Sequence, residues 1–440
     1  MCVSLSLMLL SGAFAADGTS WTYGFDWNSD LSWLNMTFPC EGGKAYIRSG
    51  SSVNQVINQN IPGLVLSGIY FEDDHYQRLS GKNISLVGNA EVGATFLKPD
   101  ESPALRSPRI DLTLEGDGES TFTKIGKGTI LLNQPLANFS AVTVAGGSLV
   151  STNLSGTAFA VQDMTLDGGA LAYLGQAAGT GSASSSMRGV TAGPGAEIHV
   201  RKVNASSASL TLGSLTRGTA GTLGLVTDAT DALGSTERVL VSGKSTEAFC
   251  EPWCVGRETS GGQAIALLGY DAVNGFVKAT SVTSLASASE TDIVTLSSDE
   301  TLTADKKVLS LVCYNGAQPT IPAGMTLTLG DAAGHVAALV MNGADAGNAE
   351  EVFENAGTID FGECEGIVWR GAKRTTTGLA DKRLTIRTRI TGQNGVTFAG
   401  TGGALGTASK VLYQIGAGCA GWSPGAASSP RRSWRGFWWQ

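Results

Sequence analysis

The sequence predicts an all-β protein, a right-handed parallel β-helix or solenoid of short, glycine-cornered strands, and three observations lead there. The run Val142-Thr143-Val144-Ala145-Gly146-Gly147-Ser148-Leu149-Val150 recurs, with the same apolar and glycine positions, as Met164-Thr165-Leu166-Asp167-Gly168-Gly169-Ala170-Leu171-Ala172, an offset of 22 residues. A strand, a Gly-Gly corner and a second strand cannot bury an apolar face alone, so such units must stack. Glycine accounts for 59 of the 440 residues, about twice the usual share, while charged residues make up 15% and aromatic residues 7%. That composition suits thin β layers with many tight corners. Finally, period-two runs of Val, Ile, Leu and Thr recur between glycines and polar turns, and no apolar stripe of helical period stands out.

In chain order, residues 1–15 read as a secretory signal. Leu5 to Phe14 is apolar but too short to span a bilayer, and Ala13-Phe14-Ala15 before Ala16-Asp17 is a small-x-small cleavage pattern, although no positive charge precedes Leu5. No later segment is long and apolar enough for a transmembrane helix. Residues 16–60 form an N-terminal capping region, in which Trp21, Tyr23, Phe25 and Trp27 share one face of an extended strand that has to be covered. The alternative use of that stripe is an exposed platform for stacking sugars. Residues 61–244 carry the solenoid through Leu64-Val65-Leu66, Ile84-Ser85-Leu86-Val87, Ile110-Asp111-Leu112-Thr113-Leu114, Thr129-Ile130-Leu131-Leu132, Leu210-Thr211-Leu212-Gly213 and Val239-Leu240-Val241. Within it, Ala177 to Ser186 consists of Gly, Ala, Ser and Thr and reads as an irregular excursion.

Residues 245–262, where Cys250-Glu251-Pro252-Trp253-Cys254 interrupts the alternation, form a cysteine-containing loop or a subdomain boundary. Residues 263–410 continue the solenoid through Val294-Thr295-Leu296, Met325-Thr326-Leu327-Thr328-Leu329-Gly330 and Leu384-Thr385-Ile386-Arg387. Residues 411–440 are an atypical tail in which Trp422, Trp434, Trp438 and Trp439 lie among Arg431, Arg432 and Arg435. The abrupt change after Lys410 reads as a shifted reading frame or a truncated gene.

The run Phe122-Thr123-Lys124-Ile125-Gly126-Lys127-Gly128-Thr129-Ile130-Leu131-Leu132, followed by Asn138-Phe139-Ser140-Ala141 and the valine strand up to Val150, resembles the autotransporter-associated β-strand repeat. That pattern has a lysine, two spaced glycines, threonine and alternating apolars, then an asparagine-aromatic turn, a valine strand and a glycine before leucine. Ala141 stands where the pattern usually has glycine. Ile61 to Gly93, Leu210 to Gly218 and Ala356 to Gly400 are similar, more loosely, to sections of such large exported bacterial proteins. The resemblance implies an exported passenger, a β-helical stalk displayed on a Gram-negative-type cell or released from it. It also implies a C-terminal outer-membrane barrel, yet the end of this chain lacks the repeated lipid-facing alternation of about ten residues that a barrel requires.

A structural or adhesive role without catalysis follows, with host-cell or extracellular glycan and protein surfaces as the expected partners. The formal net charge of −8, with a pI near 5.1 and scattered Lys and Arg, argues against nucleic acid. Glu72-Asp73-Asp74-His75 is the densest polar cluster and the natural place for a divalent cation, but neighbours in a strand point to opposite faces, so it reads as a solvated corner. Cys40, Cys250, Cys254, Cys313, Cys364 and Cys419 are too sparse for a disulfide scaffold, although Cys250 and Cys254 are spaced to close a local loop. His75, His199 and His335 stand too far apart in sequence to complete a zinc set with them. Gly126-Lys127-Gly128-Thr129 lacks the leading glycine and following helix of a phosphate loop, and no Gly-x-Ser-x-Gly elbow is present. No catalytic, cofactor or metal residue is therefore assigned. Two alternatives stand beside this reading. One is a β-helix polysaccharide lyase or hydrolase, which needs acidic groups gathered on one face, whereas Asp163 and Asp167 are isolated. The other is a non-functional gene fragment.

Overall fold

The computed structural model describes residues 18–20, 26–28, 39, 42–47, 55–72, 77–94, 107–151, 163–176, 181–227, 232–258, 264–314, 316–331, 336–342, 350–371, 382–401 and 411–415. Every helix or strand among them is a strand, and the strands form the parallel stacked sheets of a β-solenoid. In the first stack, Gly43–Ile47, Val65–Phe71, Ile84–Ala94, Thr121–Ile125, Ala141–Val144, Met164–Leu166, Ser182–Ala192, Ser207–Arg217 and Glu237–Val241 belong to a 12-stranded sheet. Facing it, Gln55–Gln59, Gln77–Gly81, Arg109–Ile110, Thr129–Leu132, Ser148–Ser151, Ala170–Gly175, Ala196–Lys202, Leu223–Thr227 and Cys254–Glu258 belong to an 11-stranded sheet. The chain alternates between the two walls.

The 22-residue offset is the length of one coil, since Val142 pairs with Met164 and Leu149 with Leu171. Register is set by the inward positions: Phe122, Val142, Met164 and Val190 form one buried column, and Ile130, Leu149, Leu171, Ile198 and Leu225 the other. Each such side chain contributes roughly 1.5–3 kcal/mol by burial. A slip of one residue would turn the whole column outward, which is why the register is unique.

Stacking begins early. Gly18–Ser20 already pairs in parallel with Gly43–Ile47, and Trp27 is fully buried, its backbone N–H donating to the Asn58 carbonyl at 3.0 Å. Trp27 is thus no exposed platform; Trp21, Tyr23, Phe25 and the signal segment 1–15 lie outside the described residues. The small-residue stretch also differs from its expectation, because Ser182–Ala192 is an 11-residue strand paired along nearly all its length with Ser207–Arg217. Backbone hydrogen bonds form the ladder whatever the side chain, and here the walls close tightly. A Cβ added at Gly175 would lie 2.5 Å from that of Ala208 and 3.1 Å from that of Ala183, so small residues are what fit.

The segment expected to be a cysteine loop contributes the strand Cys254–Glu258, the last parallel member of its sheet. Ile265–Asp271 then joins it antiparallel, and Gly275–Lys278 joins that strand antiparallel in turn. Cys250 and Cys254 are not bonded to each other; both are buried free thiols, and burial pushes Cys250 up to about 12 and Cys254 upward as well.

A second stack follows. Ile293–Leu296, Ser310–Cys313, Ala337–Asn342, Gly366–Gly371 and Val396–Thr401 form a five-stranded parallel sheet, with a four-stranded sheet from Lys306–Val308 to Arg389–Thr391 and a three-stranded sheet of Glu350–Phe353, Lys382–Ile386 and Val411–Ile415. The last of these pairs in register with its neighbour, so regular stacking runs past Lys410, the point where the sequence changes character; residues 416–440 lie outside the described residues. The five-stranded sheet is buried on both faces. Leu311, Leu339 and Val368 face the second stack's own core, while Val312, Val340, Trp369 and Ala399 belong to the core of the first. The two stacks are therefore packed against each other.

Candidate functional site

Three places in this frame gather polar groups, and the first is the corner of the best repeat. Lys124 occupies an inward position and is fully buried, and its ammonium donates to the carbonyls of Gly126 at 2.7 Å, of Gly146 at 2.7 Å and of Gly128. Three N–H donors meet three acceptors from two successive coils. Burial pushes this amine down to about 7. Gly147 closes the clasp with φ +57°, and a Cβ there would lie 2.3 Å from the Gly128 carbonyl oxygen and 2.4 Å from the Lys124 Nζ. At the other end of the coil Asn138 takes φ 58°, a conformation asparagine tolerates, and its amide donates to the Gly116 carbonyl at 3.1 Å. Phe139 then packs edge-on against Phe122, with centroids 5.5 Å apart. These motif residues hold the coil closed, and the lysine serves as a clasp.

The second place is the outer face of the 12-stranded sheet. Thr123, Thr143, Thr165, Thr191 and Thr216 pair one to the next on consecutive coils, outward and at least partly exposed. Neighbouring strands are about 4.8 Å apart, so the row is regular. None of the five hydroxyls has a hydrogen-bond partner among the described residues. Toward the N-terminus the row runs on through Glu91, Gly68 and Lys44, beside a Tyr46–Tyr70 stack with centroids 5.0 Å apart. Tyr70 donates its hydroxyl to Glu91, and the Lys44 Nζ lies 5.4 Å from the Tyr70 ring centroid.

The third place is the meeting of the two stacks. Arg217 and Glu365 form a two-point ion pair at 2.6 and 2.7 Å, and the guanidinium holds that carboxyl below its ordinary range. The Trp369 indole donates to the Pro252 carbonyl at 2.9 Å. The Asn342 amide accepts from the Ile265 N–H at 2.8 Å and donates to the Ile265 carbonyl at 2.9 Å, standing in for a strand residue. On the outward face of the 11-stranded sheet, Glu197 accepts from Arg257 at 3.3 Å and pairs with His199 at 2.8 Å, all three buried. Because the His199 Nε2 faces a carboxylate it carries the proton, which leaves Nδ1 as an acceptor with no partner among the described residues. Burial, with Arg257 and Arg201 adding to it and Glu197 opposing, holds His199 below the usual imidazole value.

Of the polar cluster Glu72 to His75, only Glu72 is among the described residues. Among those residues no group of three or more His, Cys, Asp or Glu is placed to hold a metal ion. Sequence reasoning missed the Glu197–His199–Arg257 cluster. Its one local signal is the alternation in Ala196-Glu197-Ile198-His199-Val200, which marks a polar outer face; Arg257 lies 60 residues away in sequence and joins only through stacking. Set against protein-family models, curated proteins and solved structures, the chain matches none of them.

Proposed function

We propose that this chain is an exported structural and adhesive β-solenoid of the autotransporter-passenger kind, a rod that presents a regular outer surface and performs no catalysis. One observation carries the reading: the in-register threonine row, whose unengaged hydroxyls repeat once per coil on a partly exposed sheet face. A surface of identical, evenly spaced groups gains strength by multiplicity, since each added contact is intramolecular once the first is made. The small-x-small cleavage pattern at residues 13–15 supports export, and the repeat block from Phe122 to Val150 supports the passenger kinship.

The test uses the chain beginning at Ala16, applied to arrayed glycans and to cultured cells, with polysaccharides assayed in parallel for cleavage. Saturable binding without turnover is the expected result, weakened several-fold by the pair Thr143→Val and Thr165→Val. Release of new chain ends from any polysaccharide would reject the non-catalytic reading. Binding that ignores the threonine pair would move the adhesive surface elsewhere.

A further inference from the structure

On the outward face of the 11-stranded sheet, the other wall from the threonine row, two arginines stand side by side. Arg78 and Arg109 are paired in register on neighbouring strands, and because Leu79 and Ile110, the residues that follow them, point into the core, both arginines point outward. Asp111, two residues beyond Arg109, shares that face. Each of its oxygens accepts one Nε–H, Oδ1 from Arg109 at 2.6 Å and Oδ2 from Arg78. Neither arginine has another hydrogen-bond or ion-pair partner among the described residues, so the terminal nitrogens of both are unspent. They are also within reach of solvent, since the side chains of Arg78 and Arg109 are 45% and 33% exposed, against 7% for Asp111. A carboxylate that grips both Nε atoms thus fixes two planar forks, leaves their ends open and neutralises only one of their two charges.

We propose that this arginine pair binds the sulfate ester of a sulfated glycan, whose oxygens accept from the terminal N–H groups of Arg78 and Arg109. Paired strands lie about 4.8 Å apart, which brings both forks within reach of one group. A planar carboxylate is used up by a single fork, whereas a tetrahedral anion presents oxygens to two. A sulfate ester carries one negative charge, the complement of the one left over here, and keeps three oxygens free; a phosphodiester of nucleic acid keeps two. The chain as a whole has a net charge of −8 and exerts no general pull on polyanions, so the attraction is local to the pair. The site uses nothing of the threonine face and holds or fails separately from the adhesive reading.

The experiment is calorimetric titration of the whole chain with dextran sulfate, carboxymethyl dextran, plain dextran and duplex DNA, with thermal melting in parallel. Dextran sulfate is expected to bind saturably and to raise the melting temperature, as a ligand specific to the folded state must. Carboxymethyl dextran should bind about tenfold more weakly, and plain dextran and DNA not at all. Arg78→Gln and Arg109→Gln should each weaken dextran sulfate by about tenfold, and Arg78→Lys, which keeps the charge but gives up the fork, by several-fold. Arg188→Gln removes an exposed arginine of the other sheet and should change nothing. Melting temperatures of the variants without ligand separate lost binding from lost folding, and Arg78, the more exposed of the two, is the cleaner probe. Absence of dextran sulfate binding, equal binding of carboxymethyl dextran or DNA, unchanged affinity in both glutamine variants, or an equal loss in Arg188→Gln would each overturn the proposal.

Discussion

At Lys124 a cation is buried against carbonyl oxygens with no carboxylate among its hydrogen-bond partners, and the consequence is a pH dependence of definite sign. Its folded value, near 7, lies below the ordinary lysine value, so between about pH 7 and 10 the unfolded chain binds more protons and stability rises with pH, by at most about 1.4 kcal/mol per unit from this group. Melting temperatures across that range should climb more steeply in the native chain than in Lys124→Met, and parallel slopes would refute the assignment. His199 has the same sign lower down: its folded value is depressed, so its contribution is whole above about pH 6.5 and is lost as pH falls. His199→Gln, which can still donate to Glu197, should flatten that acid limb. Gly147→Ala should cost about 1–3 kcal/mol, because the left-handed backbone and the crowding by the Gly128 carbonyl act together. A melting temperature matching the native chain would mean that the clasp yields.

Among the elements, the five-stranded sheet carries the largest single predictions. Trp369→Ala should destabilise the chain by about 3–5 kcal/mol, since it removes an indole buried between the stacks and orphans the Pro252 carbonyl. Glu365 is held low by Arg217, so its contribution is present above about pH 4.5 and disappears as pH falls through the folded value. The variant Glu365→Gln should therefore lose less stability on acidification than the native chain, which denaturation midpoints at pH 3 to 7 would measure. This sheet also marks the limit of what the sequence discloses. Alternation exposed the strands around Val142 and Met164 because one face of that wall is polar. In Ala337-Ala338-Leu339-Val340-Met341 and Ile367-Val368-Trp369 both faces are buried, the pattern becomes a continuous apolar run, and period two vanishes. The candidate site was hidden for a related reason: Arg217 and Glu365 are 148 residues apart, Trp369 and Pro252 are 117 apart, and no local spacing announces either pair.

Over the whole molecule, the coils were legible as a stack and the interruption at residues 245–262 as a loop or subdomain boundary, but the packing of two stacks against each other was not, because the short strands of each use the same mixture of Val, Leu, Thr and Gly. A single solenoid would lose its coils as a nearly one-dimensional array. Here a shared core couples the stacks, so they should unfold together, and Trp369→Ala should split the transition into two by calorimetry. A single sharp transition in that variant would show that the remaining contacts suffice.

The antiparallel strands Ile265–Asp271 and Gly275–Lys278 finish the 11-stranded sheet against the grain of everything before them. The parallel stacking of coils therefore stops at that margin, and a strand added there would pair with one that runs against the coils before it.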